Sequence, residues 1–307
     1  MRLVLAASLA VVLSGCGATA GGTAGGAAAR EQLKPATESP ATKPQGTSQN
    51  TPGNAPAPGT PIPADAAKLA ADLKATTTAL YSGIDAWTKS KAAQPPQEVV
   101  LYALHHQRVY RKLARNATLA RAVIAKLPRP VAAEARDNAK AVGKLLSMAR
   151  PITAARRAKM RLAQAEPAGT LRGHMVKAEK RFGVEWEVLA AIMLVETKFG
   201  RVRSASSTGA QGPMQFMPGT WKMYGMGGDV HKSKDSIMAA ANYLKATGAP
   251  RNYRRAVFAY NHDVRYVDAV LAHAAQIKRD PRSFYAYYNW QVFVLSAKGD
   301  VRLTGPR

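Results

Sequence analysis

The sequence predicts a mainly α-helical protein that ends in a single β-hairpin. Three observations predict this. Between residues 66 and 150, apolar side chains recur at spacings of three and four, the period of a helix with one buried face. From 170 to 278, short apolar segments each run into a glycine or a polar stop. Only residues 290–303 alternate like a strand pair, with Val292, Val294, Val301 and Leu303 flanking Ala297-Lys298-Gly299-Asp300.

Near the start, Arg2 is followed by an apolar stretch, residues 3–13, too short for a permanent membrane-spanning helix. Leu13-Ser14-Gly15-Cys16 follows and resembles the lipobox of bacterial lipoproteins. That resemblance implies a signal peptide over 1–15, a lipid on Cys16 and attachment to a membrane outside the cytoplasm. Cys16 is the only cysteine, so an intrachain disulfide, a cysteine metal site and a thiol nucleophile are all excluded. Residues 17–63 hold no aromatic side chain and are rich in Pro, Gly, Ala, Thr and Ser. Such a segment buries too little apolar surface to offset its ordering entropy, and residues 16–63 read as a disordered tether.

Two regions follow, 64–165 and 166–307, divided near Pro167-Ala168-Gly169. In the first, a helix over 66–91 carries Leu69, Leu73, Leu80, Ile84 and Trp87 on one side, and Pro95-Pro96 ends it. A second spans 97–115 and a third 118–127. A fourth starts near Val131 and stops at Pro151, where the ring removes a backbone donor and clashes one turn back. Residues 154–165 read as a basic continuation. His105-His106 point about 100° apart and make a poor metal pair. In the second region, helices are expected at 170–182, 185–198, 218–224, 234–247, 252–260 and 263–278.

The chain's net charge is +25. Residues 64–165 hold 19 Lys/Arg against 6 Asp/Glu, an excess of +13. A surface this basic seeks polyanions. For an exported chain those are anionic wall polymers and lipids; no nucleic-acid reading motif is present.

One carboxylate stands out. In Ala190-Ala191-Ile192-Met193-Leu194-Val195-Glu196-Thr197, Glu196 falls in line with Leu189, Ile192 and Met193 on an apolar helix face. Burial and the negative end of the helix dipole both disfavour its charged form. A carboxylic acid that stays protonated near neutral pH suits general acid catalysis. Downstream, Gly209-Ala210-Gln211-Gly212-Pro213-Met214-Gln215-Phe216-Met217-Pro218 is a glycine-punctuated loop leading into a helix, and Ala259-Tyr260-Asn261 ends another. Gln215 and Asn261 can read amides, and Tyr260 can bond a carboxyl group.

Glu196-Thr197, Gly212-Pro213-Met214-Gln215 and Ala259-Tyr260-Asn261, in that order, resemble the lytic transglycosylases of the lysozyme-like superfamily. Glu-Thr-x-x-Gly and Met-Gln-Phe-Met-Pro look most like the membrane-bound lytic transglycosylase B branch. The resemblance covers about 170–280 and implies a lysozyme-like helical fold acting on peptidoglycan. It implies Glu196 as the catalytic acid and base, with Tyr260 orienting it. Substrate contacts would come from Gln215, Asn261, Met214, Phe216 and Tyr243. The expected product is 1,6-anhydro-N-acetylmuramic acid. Attack by water instead would make a muramidase, with Asp229 the first residue to test; a non-catalytic wall-binding lipoprotein is a third reading. The aspartate-rich calcium loop of some B-type enzymes is missing around Asp229 and Asp235, so neither a metal nor a cofactor is expected.

Overall fold

A computed structural model describes residues 55–306. The signal segment, Cys16 and the tether up to residue 54 lie outside the described residues. The fold is mainly helical with a two-stranded C-terminal hairpin.

The first four helices are α1 (Ala66–Ser90), α2 (Gln97–Arg115), α3 (Ala117–Ile124) and α4 (Arg129–Met148). Their starts follow local chemistry. Asp65 caps α1 by accepting from the backbone N–H groups of Ala67 and Lys68, at 3.0 and 2.9 Å. Asn116 caps α3 through Leu119 N–H at 2.9 Å. Pro130 sits in the first turn of α4, where its missing N–H costs nothing. Residues 55–63, expected to be disordered, instead lie against α2. Arg108 and Lys112 donate to the Thr60 and Ile62 carbonyls at 2.8 and 2.9 Å, and Ile62 packs on the core.

The basic helix expected over 154–165 is shorter, α5 (Ala154–Ala158). Beyond it the chain extends, and Leu162 pairs with Val202. Met160 and Leu162 are buried with Ile152, Val202, Val292, Val294 and Leu303 in a small second core beneath the hairpin. That burial outweighs the local helical preference.

The second half comprises α6 (Ala168–Phe182), α7 (Trp186–Thr197), α8 (Pro218–Tyr224), α9 (Ser233–Thr247), α10 (Tyr253–Tyr260), α11 (Val264–Arg279) and α12 (Arg282–Tyr288). The sequence reading had no counterpart to α12, whose aromatic run Phe284-Tyr285-Ala286-Tyr287-Tyr288 carries no clear period. The hairpin is β1 (Val292–Ser296) with β2 (Gly299–Leu303), antiparallel, with Val292 opposite Leu303 and Val294 opposite Val301. Asp300 on β2 receives Arg111 bidentately, at 2.7 and 2.6 Å, and Arg115 at 2.6 Å, which ties the hairpin to α2.

Helix α7 is central: every residue in it except Glu187 is buried, and α11 packs against both α7 and α4. One apolar core runs through both halves, from Leu69 in α1 to Trp290. A buried polar knot also crosses between them. Glu134 on α4 accepts from the Tyr81 hydroxyl (2.9 Å) and from His106 Nε2 (3.0 Å). Tyr81 also bonds Ser283 at 3.1 Å, and Gln276 donates to Ser283 at 3.0 Å. His105 pairs separately with Asp72 at 2.9 Å.

Candidate active site

Helix α7 reads Trp-Glu-Val-Leu-Ala-Ala-Ile-Met-Leu-Val-Glu-Thr, and all but Glu187 of these residues are buried. The helix is therefore apolar all round, not on one face as the spacing suggested. Glu196, one residue from its end, has no exposed surface. Burial pushes its carboxyl up to about 8, outweighing the opposing pulls of a hydrogen bond from Tyr266 and the charge of Lys198.

The hydroxyl of Tyr266, at the start of α11, donates to Glu196 Oε1 at 2.6 Å. The other oxygen, Oε2, is buried and has no hydrogen-bond partner. The acid proton therefore belongs on Oε2, with Oε1 occupied as an acceptor. Tyr266 fixes the rotamer and leaves the proton-bearing oxygen free to donate elsewhere.

The expected orienting residue was Tyr260. Its hydroxyl instead donates to the Met214 carbonyl at 2.7 Å. Tyr260 thus holds the glycine loop, while Tyr266 holds the acid. Nothing in the sequence between Tyr260 and Tyr266 ranks one above the other, because the contact to Glu196 spans 70 positions.

Thr197 fastens the same loop to the end of α7. Its hydroxyl donates to the Pro213 carbonyl at 2.6 Å and accepts from Gly200 N–H at 2.8 Å. Gly212 has φ +74, and a Cβ there would lie 1.9 Å from the Val230 carbonyl oxygen, so only glycine fits. Gln215 is itself left-handed at φ 51, nearly buried, with its amide nitrogen on the Gly212 carbonyl at 3.0 Å. Met214 and Phe216 are buried beside it. Phe216 meets Tyr260 edge-on with ring centres 5.9 Å apart, and Tyr243 lies 5.8 Å from Tyr260. Asn261 is buried at the end of α10. The structure thus gathers Met214, Gln215, Phe216, Tyr243 and Tyr260 around one loop, as packed rather than open side chains.

Open space lies on another side of Glu196. A cavity of about 100 Å³ is bounded by Glu196, Thr197 and Lys198, by the end of α4 with Leu146 and Arg150, by Arg111 on α2, and by Phe293 on β1. Lys198 was missed as a site residue. The chain leaves α7 through three left-handed residues, Lys198, Phe199 and Gly200, with φ 52, 59 and 78. That turn swings Lys198 to the cavity wall. Burial, then Arg111, push its ammonium down to about 8. Lys198 does not pair with Glu196; the one hydrogen bond of its ammonium among the described residues goes to the Leu194 carbonyl at 2.8 Å.

Asp229 and Asp235 serve the loop before α9. Asp235 accepts from Asp229 N–H at 3.0 Å, and Asp229 accepts from His231 N–H at 2.9 Å. Among the described residues, no three His, Cys, Asp or Glu side chains cluster as a metal site would require.

Glu196 is thus a buried carboxylic acid near the end of an apolar helix, held through one oxygen by Tyr266. Residues 174–278 match the Transglycosylase SLT domain, so the chain carries that domain over about a third of its length. The match spans α7, the glycine loop, α9, α10 and nearly all of α11. It supports a lytic-transglycosylase-type activity on peptidoglycan and a place at the cell wall. Neither the curated proteins nor the solved structures gave a match.

Proposed function

We propose that the protein is a peptidoglycan lytic transglycosylase that cleaves the β-1,4 bond between N-acetylmuramic acid and N-acetylglucosamine. The observation that carries this reading is Glu196: buried, protonated near neutral pH, held through Oε1 by Tyr266 and free at Oε2. Oε2 donates its proton to the glycosidic oxygen as the bond from C1 breaks. The resulting carboxylate takes the proton of the muramoyl C6 hydroxyl while O6 closes onto C1. The acid is regenerated and the product is a 1,6-anhydro sugar. One protein carboxylate suffices because the nucleophile belongs to the substrate, whereas most glycosidases need two. Glu196 has no exposed surface in the free chain, so substrate binding includes displacement of side chains over it.

We read Gln215, Asn261 and Tyr260 as the groups that shape the sugar site around the loop, with Met214, Phe216 and Tyr243 behind them. The lipobox-like sequence at Cys16 would anchor the chain to the membrane, and the basic surface of 64–165 would hold it to anionic wall polymers.

Mass spectrometry of fragments released from purified sacculi tests the reaction. The expected muropeptides end in 1,6-anhydromuramic acid, one water lighter than reducing-end products. Reducing-end products would replace this reading with a muramidase. No release at all, from a folded protein, would leave a wall-binding lipoprotein. Glu196→Gln should lower release by about 10²–10⁴-fold, the worth of one general acid–base role.

A further inference from the structure

We propose that Lys198 and Arg150 form a carboxylate-binding subsite beside Glu196, which takes the free lactyl acid of a peptide-free muramoyl residue. The proposal deepens the peptidoglycan reading and rests on it.

The cavity at Glu196 carries positive groups that the fold does not use. Lys198 offers three ammonium donors and spends one, on the Leu194 carbonyl. Arg150 is exposed at the cavity mouth, just past the end of α4, and has no ion pair or hydrogen bond among the described residues. Arg111, the third cation, is already committed to Asp300 and lies 4.8 Å over the Phe293 ring. It adds positive field to the cavity wall. The one acid in the wall, Glu196, is neutral at pH 7 and does not repel an anion. A partly buried ammonium with two free donors is costly to keep unless something anionic satisfies it.

Size selects the anion. A cavity of about 100 Å³ suits an acid group on a short arm. The muramoyl residue whose C1 faces Glu196 carries such an arm, a lactyl ether ending in a carboxylate when no peptide is attached. A stem peptide converts that carboxylate to an amide and moves the nearest acid several bonds away. The subsite therefore favours strands already stripped of peptide.

The test has two arms, both on the full chain. Calorimetry compares N-acetylmuramic acid, its methyl ester and N-acetylglucosamine. The acid should bind at least about tenfold more tightly than the ester, the worth of one hydrogen bond to a charged group. Lys198→Met and Arg150→Gln should each erase that difference. Arg150 is exposed, so Arg150→Gln keeps the test valid even if Lys198→Met fails to fold. Equal binding of acid and ester by the wild type, or an unchanged preference in Arg150→Gln, overturns the proposal. In the second arm, turnover is measured on peptide-free and peptide-bearing strands. A loss confined to peptide-free strands supports the lactyl source. A loss confined to peptide-bearing strands, or equal on both, overturns it. A wild type inactive on both strands would reject the enzymatic reading, while the calorimetric arm still decides the subsite.

Discussion

Replacing Glu196 by glutamine should make the protein more stable, by an amount that depends on pH. In the unfolded chain the carboxyl titrates near its ordinary 4.5; in the fold burial raises it to about 8. Between those values the folded state holds one proton that the unfolded state has released. Stability contributed by this group is thus complete below 4.5 and falls as pH rises, by about 1.4 kcal/mol per unit, until about 8. At pH 7 the accumulated cost is about 3 kcal/mol. Glutamine is neutral throughout, keeps an oxygen for the Tyr266 hydroxyl and carries no such cost. For a folded body of this size, about 3 kcal/mol corresponds to roughly 6–12 °C in Tm. The assay is denaturant unfolding of wild type and Glu196→Gln at pH 4.5 and pH 7. The stability difference between the two proteins should be near zero at pH 4.5 and grow by about 3 kcal/mol at pH 7. A difference that stays constant with pH would refute the reasoning, because Glu196 would then titrate alike in both states.

Removing the Tyr266 hydroxyl takes away a bond that favours the carboxylate, so Tyr266→Phe should move the alkaline limb of kcat/KM upward from about 8 by roughly one pH unit; a limb that stays or moves down contradicts the assigned role. Gly212→Ala drives a methyl group into the Val230 carbonyl at a left-handed position, and should cost at least about 2 kcal/mol in urea unfolding and disturb the loop that carries Gln215. Arg129, Arg136 and Lys140 are exposed along one side of α4; replacing all three by glutamine should weaken adsorption of the full chain to isolated walls at low salt. That difference should fade near physiological ionic strength, where screening acts over about 8 Å. Unchanged adsorption at low salt would remove this surface as a docking site.

Much of the helical frame was legible because its signals are local. Proline pairs, glycine stops and a three-to-four period mark α1, α2, α7 and α11 within a residue or two. The hairpin was legible from the alternation around Ala297-Lys298. Glu196 was legible because a lone acid inside an apolar run is anomalous on its own. The rest depends on partners distant in sequence. Which tyrosine reaches Glu196 is decided by how α11 lies along α7. The shortening of α5 is decided by apolar side chains of the hairpin, more than a hundred residues away. Lys198 carries no local signal of its own, because the left-handed turn at 198–200 is what carries it to the cavity wall.

The knot at Glu134 bears on how this protein can be cut or recombined. The matched family region ends at residue 278, yet the groups that complete its interior lie on both sides of that limit. Tyr287, on α12, gives its hydroxyl to Asn138 on α4 at 2.6 Å, and Gln276 reaches Tyr81 on α1 through Ser283. A fragment trimmed to 174–278 would bare the side of α11 that α4 covers and strand Gln276 without its acceptor. Transplanting the catalytic segment into another protein would therefore require carrying α1, α4 and α12 with it, or supplying a new cover of matching polarity. The amino-terminal helices are the missing wall of the catalytic unit, and any library of truncations should begin its boundaries before Asp65.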